Sequence, residues 1–306
     1  MYDIVIVGSG PAGLTAALYA RRSEKSVLVI EKSSFGGQIT HSPRVENYPG
    51  FAEVSGSELG EKFLEQAMAQ GAEIEFDTVT AIDGEPGNYT VVCEGASYPA
   101  KSVIIATGSK HRTLGLPGEE RYTGEGISYC AVCDGAFYKG KTVAIIGGGN
   151  TALQEACLLS DSCEKVYIIQ NLAFFTGEKN LASRLHSRSN IEIKFSTVVT
   201  DIIGDEKFEG IRLMNTESGE ESELLVDGIF VAIGQQPENE PFANVVRLNG
   251  YGYIEAGEDC LPYSDMSGIF VAGDCRTKAI RQVTTATADG AVAALAACRF
   301  IDSLND

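Results

Sequence analysis

The chain has no tryptophan, only three histidines and no extended run of basic residues in 306 positions. No stretch approaches the roughly 18 uninterrupted apolar residues of a membrane-spanning helix, which excludes a helical membrane protein. Acidic residues number 42 against 24 basic, a formal net charge of −18, so neither nucleic acid nor an anionic lipid surface is an expected partner. The amino terminus, Met1-Tyr2-Asp3, is acidic and runs directly into a strand-like segment. It has no secretory-signal pattern, and the chain is predicted to be cytoplasmic. His41, His111 and His186 stand apart from one another, and Cys130-x-x-Cys133 has no second such pair. A zinc site needs about four ligands, so no metal is expected. The eight cysteines are irregularly spaced in a long chain without a signal, which argues against a disulfide framework.

What is present is globular: 44% apolar and 22% charged residues, in a length that holds two domains of about 150 residues. Thirty-four glycines imply many tight turns and close backbone approaches. The sequence echoes itself. Asp3-Ile4-Val5-Ile6-Val7 breaks into Gly8-Ser9-Gly10-Pro11-Ala12-Gly13, and Thr142-Val143-Ala144-Ile145-Ile146 breaks into Gly147-Gly148-Gly149-Asn150-Thr151-Ala152. Each is followed by an Ala/Leu-rich helical stretch. A second echo pairs Val103–Gly108 with Ile229–Gly234, and further strands are predicted at Ser26–Ile30, Lys165–Ile169 and Gly268–Ala272. Strands alternating with helices imply parallel sheets covered on both faces. Linker-like stretches at Leu114–Gly118 and Gly234–Asn239 place the boundaries. The expectation is an α/β protein of two Rossmann-like three-layer domains, with 116–238 inserted into a discontinuous domain of 1–115 and 239–306.

The first glycine motif has an informative context: it follows a strand, opens a helix, and precedes Glu31 at the end of the next strand. The glycines allow the tight turn and the backbone's approach to a pyrophosphate, and the helix N-terminus favours the anion. A glycine turn without a ligand is the alternative. The second motif keeps the glycines but not their partner. Where an acid would select NAD, or a basic residue NADP, the chain reads Ile168-Ile169-Gln170-Asn171-Leu172, and no acid, arginine or histidine lies between Val166 and Gly177.

Cys130-Ala131-Val132-Cys133-Asp134-Gly135 lies shortly before the second unit. Cysteines at this spacing can close a small disulfide across one helical turn, and such motifs lower thiol pKa; a pair of inert thiols is the alternative. Asp134 is placed to exchange protons with them. Near the C-terminus a strand ends in Gly273-Asp274, and Arg281-Gln282-Val283 opens a long Ala-rich helix. An acid at a strand's carboxyl end beside a helix N-terminus suits a polyol chain and an anionic ring edge.

Together with Gly36-Gly37-Gln38, Glu46-Asn47-Tyr48-Pro49-Gly50 and Ala106-Thr107-Gly108, these motifs resemble, in order and over essentially the whole chain, the low-molecular-weight thioredoxin reductase family of flavoproteins. The resemblance implies that Gly8, Gly10, Pro11, Ala12, Gly13 and Glu31 hold the adenosine and pyrophosphate of FAD. Gly36, Gly37, Gln38, Asn47 and Ala106-Thr107-Gly108 belong to the same site, with Gly273-Asp274 by the ribityl chain and Arg281-Gln282-Val283 along the isoalloxazine edge. Cys133 resembles the cysteine facing the flavin, Cys130 the one attacking the partner disulfide, and Asp134 the acid. It also implies a homodimer and thioredoxin as a partner.

The chain departs from the family's pattern at the basic cluster that grips the NADPH 2′-phosphate, where it has Ile169-Gln170-Asn171 and Phe175-Thr176-Gly177. In this it is similar to the ferredoxin-dependent flavin thioredoxin reductases, which pass electrons from reduced ferredoxin via FAD and the disulfide to thioredoxin. A plant-type ferredoxin and a thioredoxin differ by about 130 mV, roughly 6 kcal/mol downhill for two electrons. Lys139, Lys141, Lys179, Arg184 and Arg188 are candidates for docking an acidic ferredoxin on this acidic chain. The alternatives are a flavin-dependent dithiol oxidase using oxygen, an NAD(P)H-dependent reductase with atypical nucleotide contacts, and a flavin-binding redox sensor without turnover.

Overall fold

Val and Ile crowd the runs that become strands, where branched side chains fit the pleat, and each run ends at a residue able to make the turn into a helix. The computed structural model describes every residue except Pro43, Asp265, Asn305 and Asp306. It forms two compact units, Met1–Lys110 with Gln236–Asp306, and the intervening His111–Gln235.

In the first unit the strands Glu73–Phe76, Val27–Glu31, Tyr2–Val7 and Ser97–Ile105 lie parallel in that order. Ser97–Ile105 shares its other edge between two neighbours: its first half pairs antiparallel with Asn88–Cys93, and its second half pairs parallel with Ile269–Val271. Alternation along Tyr2–Val7 sends Ile4 and Ile6 into a core with the helices Pro11–Arg22, Gly56–Ala69 and Val283–Ser303. Val5 and Val7 face the opposite core, built from Ile82, Tyr89, Val91, Phe242 and Val245. A strand buried on both faces reads as the continuous apolar run that the sequence has. The register Val7↔Ile30, Val7↔Ile105 and Ile105↔Val271 brings four strand ends to one edge, where Gly8, Glu31, Ala106 and Gly273 begin their loops.

The second unit repeats the plan. Its parallel strands are Ile191–Lys194, Lys165–Ile169, Thr142–Ile146, Gly228–Val231 and Ile127–Ser128, in that order. Val143 and Ile145 face the helices Asn150–Ser160 and Lys179–His186, while Ala144 and Ile146 face Phe208, Ile211 and Leu213 of an antiparallel sheet. The α/β class with two three-layer Rossmann-like domains is therefore as expected. The echo between the two units extends to single atoms. Gly8 (φ +105°) and Gly147 (φ +132°) each lie so close to a carbonyl, Ala106 O and Ala232 O, that an added Cβ would come to 2.4 Å. Their amides donate to Ile30 O and Ile169 O at 2.8 and 2.9 Å.

The antiparallel strands Val79–Glu85, Thr197–Gly204, Phe208–Asn215 and Glu221–Leu225 had no clear pattern in the sequence. Register shifts between Val79 and Ala81 and between Val199 and Asp201 break their alternation, and Glu221–Leu225 is an edge strand with no buried residue. The strand expected at Gly268–Ala272 is shorter, Ile269–Val271, because Gly268 takes a left-handed turn at φ +90°.

Helices Pro11–Arg22 and Val283–Ser303 meet backbone to backbone: a Cβ on Gly290 would lie 2.2 Å from Ala12 O. Gly290→Ala is therefore expected to cost about 2–3 kcal/mol by overpacking. The reading is a lower denaturant midpoint at unchanged slope, and an unchanged midpoint would mean that the helices separate without cost.

Candidate active site

At the carboxyl edge of the first sheet, Pro11 opens the helix after Gly10, where its missing N–H costs nothing. Gly13 lets that helix close on the strand, since a Cβ there would sit 1.9 Å from Gly8 O. Glu31, buried at 8% exposure, accepts from Ser9 N and Ser9 Oγ through Oε2, and from Ser33 N through Oε1, so it ties the glycine loop to the loop after its own strand. Gly36 N donates to Ser9 O at 3.0 Å. Gly37 approaches Gly10 so closely that a Cβ would come within 2.9 Å of its Cα. Ala106 N donates to Val7 O, and Thr107 Oγ1 to Asn239 Oδ1 at 3.0 Å; Gly108 turns at φ +67°. Gln38, in the 3-10 turn Gly37–His41, is exposed.

The Gly273-Asp274 loop is held by a carboxylate that the sequence reading missed. Asp289, on the helix Val283–Ser303, accepts at 2.9 Å from Gly273 N, Arg276 Nε, Arg276 Nη2 and Lys278 Nζ. Burial would raise its carboxyl, but Arg276 and Lys278 outweigh that and hold it below the usual range. Beside it, Asp274 Oδ1 lies out of solvent with no hydrogen-bond partner, and burial pushes that carboxyl up to about 6. Arg281 donates to the carbonyls of Lys278 and Arg276 and lies over the Tyr253 ring at 4.3 Å. Asn47 Nδ2 donates to Gln282 Oε1 at 3.2 Å, joining two segments 235 residues apart, and Val283 packs in the same small cluster as Ile39 and Tyr48. The fold thus gathers most of the residues expected at a dinucleotide on one sheet edge. An FAD suits them: the unpartnered Asp274 Oδ1 awaits a hydroxyl donor, and the glycine loop leaves backbone amides at a helix N-terminus for the pyrophosphate.

In the second unit the corresponding cradle is filled by the chain itself. Gln170 follows Ile169 as Glu31 follows Ile30, but its side chain lies on the glycine loop: a Cβ on Gly148 would strike its Cδ, Nε2 and Oε1 at 2.5–2.8 Å. Gln170 is 3% exposed and its Nε2 donates to Phe174 O at 3.0 Å. The following loop folds back onto the glycines, with Thr176 N and Gly177 N donating to Gly148 O at 2.9 and 3.0 Å. Asn150 Oδ1 accepts the amide of Glu178 at 2.7 Å, closing the loop onto the helix start.

Cys130 and Cys133 form a disulfide across the short helix Ala131–Asp134. Both are half-buried, and Val132 between them is exposed. Cys130 Sγ accepts the Cys133 N–H at 3.2 Å. Asp134 Oδ2 accepts from Ser128 Oγ at 2.6 Å, while Oδ1 is buried and unpartnered; burial raises its carboxyl against the opposing pull of Ser128. It opens into a cleft of about 300 Å³ lined by Ser128, Tyr138, Lys141 and Asp227. Of the docking candidates, Lys139, Lys141, Lys179 and Arg184 are exposed, and Arg188 is bound to Asp161 and Ser160. Among the described residues no cluster of metal-ligating side chains forms, and no helix is long and apolar enough to cross a membrane.

Two units of dinucleotide-binding plan, one bearing a disulfide in a tight turn beside a buried carboxyl, define a disulfide oxidoreductase of the flavoprotein class. The chain belongs to the pyridine nucleotide-disulphide oxidoreductase family, whose sequence model matches residues 2–290. It is 40% identical to thioredoxin reductase of Bacillus subtilis over 309 residues, covering 100% of this chain and 96% of that protein. It is 39% identical to the 34.2 kDa protein in the rubredoxin operon of Clostridium pasteurianum over 300 residues, 98% and 97% of the two chains. The crystal structure of thioredoxin reductase from Streptococcus pyogenes is similar with a TM-score of 0.93 at 38% identity, covering 99% of each chain. Thioredoxin reductases of this family are FAD-binding flavoproteins, in keeping with the cradle of the first unit.

Proposed function

We propose that this protein is a thioredoxin reductase whose electrons come from reduced ferredoxin rather than from NAD(P)H. The observation that carries the choice of donor is Gln170. A nucleotide's ribose and pyrophosphate would need the space over Gly148 that this buried side chain occupies. No basic residue between Val166 and Gly177 is at hand to neutralise a 2′-phosphate.

FAD, held by the first unit, supplies a carrier that exchanges electrons singly or in pairs. The protein's own residues do the rest. The glycine loop and the Pro11–Arg22 helix start would hold the pyrophosphate, and Asp274 would accept from a hydroxyl of the ribityl chain. Arg281 and the Asn47–Gln282 pair would lie on the ring side of the cofactor. In the second unit Cys130, at the start of a short helix whose Cys133 amide donates to its sulfur, suits the attacking thiolate. The dithiol Cys130–Cys133 closes to the disulfide as the partner's disulfide opens to two thiols. Asp134, whose carboxyl burial pushes up against the opposing pull of Ser128, lines the cleft and is placed to hand over and regain a proton there. The homodimer implied by the family resemblance and the cytoplasmic location expected from the sequence belong to the same reading.

A second reading, NAD(P)H dependence with an altered contact set, draws on the intact backbone frame around Gly147 and on relatives 40% identical that bear the name thioredoxin reductase. The two separate in one anaerobic experiment, in which purified yellow protein is mixed with NADPH, NADH or reduced ferredoxin. Flavin bleaching by ferredoxin alone is expected. Fast bleaching by either nucleotide would overturn the proposal and mean that Gln170 and its loop swing aside.

A further inference from the structure

The second unit contains a buried carboxyl that no motif singles out and the proposed chemistry does not use. Glu155 lies in the helix Asn150–Ser160 at 8% exposure. The same helix buries Ala152, Leu153, Ala156 and Leu159 in a core with Val143, Ile145, Val166 and Ile168, an interior where an unpaired charge is costly. Its Oε1 accepts one hydrogen bond, from Ala131 N at 3.1 Å, and its Oε2 is out of solvent with no partner. Ala131 is the residue directly after Cys130 and is itself 2% exposed. A glutamate is thus spent, inside an apolar core, on the one amide adjacent to the first cysteine.

We propose that Glu155 is a positioning residue for the redox pair: it anchors the turn through Ala131 N–H, and its charge governs the ionisation of the reduced Cys130. The step balances whichever sulfur is charged. The disulfide takes two electrons, supplied by the family's reductase activity, and two protons to give two thiols. Where Cys130 stays a thiolate, the proton it does not hold resides on Glu155. An anion at the Ala131 amide and another on the preceding residue do not both ionise freely in a partly buried turn, so thiolate formation and carboxylate formation oppose each other.

The groups facing Glu155 leave few other charges in play. Asp134, on the redox turn, is the anion acting on it. Tyr138 and Cys163 line the same core with pKa values raised by burial, and both remain neutral. The helix Lys179–His186 contributes Leu181, Ala182 and Leu185. Burial, opposed by the Ala131 amide and assisted by Asp134, pushes the Glu155 carboxyl up to about 7, so its charge changes in the working range of thiol chemistry.

The inference rests on the redox role of the pair and not on the electron donor. To test it, the FAD-loaded full chain is reduced and freed of reductant without oxygen. Iodoacetamide labelling of Cys130 is then followed peptide by peptide from pH 5 to 9. The wild type is expected to show two ionisations in the labelling rate, the lower one near pH 7. Glu155→Gln keeps an acceptor for Ala131 N–H and removes the charge. It should give a single step and label Cys130 about tenfold faster at pH 7, one pKa unit. Superimposable profiles of wild type and variant would overturn the inference. So would a single simple step in the wild type, which needs no variant to fold. Equal labelling with and without reductant would instead remove the redox role of the pair, and the inference with it.

Discussion

Serine in place of Cys133 is expected to stop disulfide reduction, with turnover falling by at least about three orders of magnitude. The oxygen of serine cannot form or break the bond that Cys133 makes to Cys130. The flavin should be retained, because the residues proposed to hold it, Gly8–Gly13, Glu31 and Asp274, lie in the first unit, while the pair belongs to the second. The measurement is paired: reduction of a thioredoxin disulfide, and the yellow absorption of protein passed through a desalting column. Turnover that survives the substitution would remove the pair from the electron path. Loss of the yellow colour would show that the two units are coupled more tightly than their separate cores imply.

The second large effect is expected from Asp289→Ala. Arg276 is 1% exposed and is held by both oxygens of Asp289, with Lys278 on the same carboxylate. Removing the anion strands two cations in the interior, which costs about 3–5 kcal/mol when a buried pair is broken from one side. It also frees Gly273 N, so the loop presenting Asp274 loosens and flavin affinity should fall with stability. Asp289→Asn, of the same shape but uncharged, should lose less. The pH dependence has a definite sign. A carboxyl held below its unfolded value of about 3.9 contributes stability above that pH, and the contribution is lost as the solution is acidified through the folded value. The wild type should therefore lose this advantage below about pH 4, and the difference between wild type and variant should narrow there. A melting curve within about 1 kcal/mol of wild type at neutral pH would sink this account of the loop.

Much of the site was legible because its chemistry sits in short, contiguous motifs. A strand, three glycines and an acid two dozen residues on describe a dinucleotide turn from local spacing alone. The Cys-x-x-Cys spacing likewise fits a disulfide across one turn. The missing basic residues between Val166 and Gly177 were countable, yet counting could not tell that Gln170 would lie on Gly148 and cover the loop. Asp289, Ser128 and Glu155 escaped notice because each reads as an ordinary residue in its own segment. A signal for Asp289 existed in the charge pattern Arg276-x-Lys278 ahead of an otherwise Ala-rich helix, but nothing local links it to Gly273.

The sequence by itself determined the α/β alternation, the two echoed glycine turns and the redox turn, because each depends on residues within one strand–turn–helix unit. Tertiary structure alone decided what these elements face. Register across parallel strands is a non-local choice, and it brings Val7, Ile30, Ile105 and Val271 to one edge and so assembles the proposed flavin cradle. Burial is non-local too. The carboxyls of Asp274, Glu155 and Asp289 have the same chemistry in the unfolded chain, and their surroundings send the first two upward and the last downward. Desolvation and the number of donors each side chain meets come from segments far away in the chain, and no spacing rule within a motif encodes them.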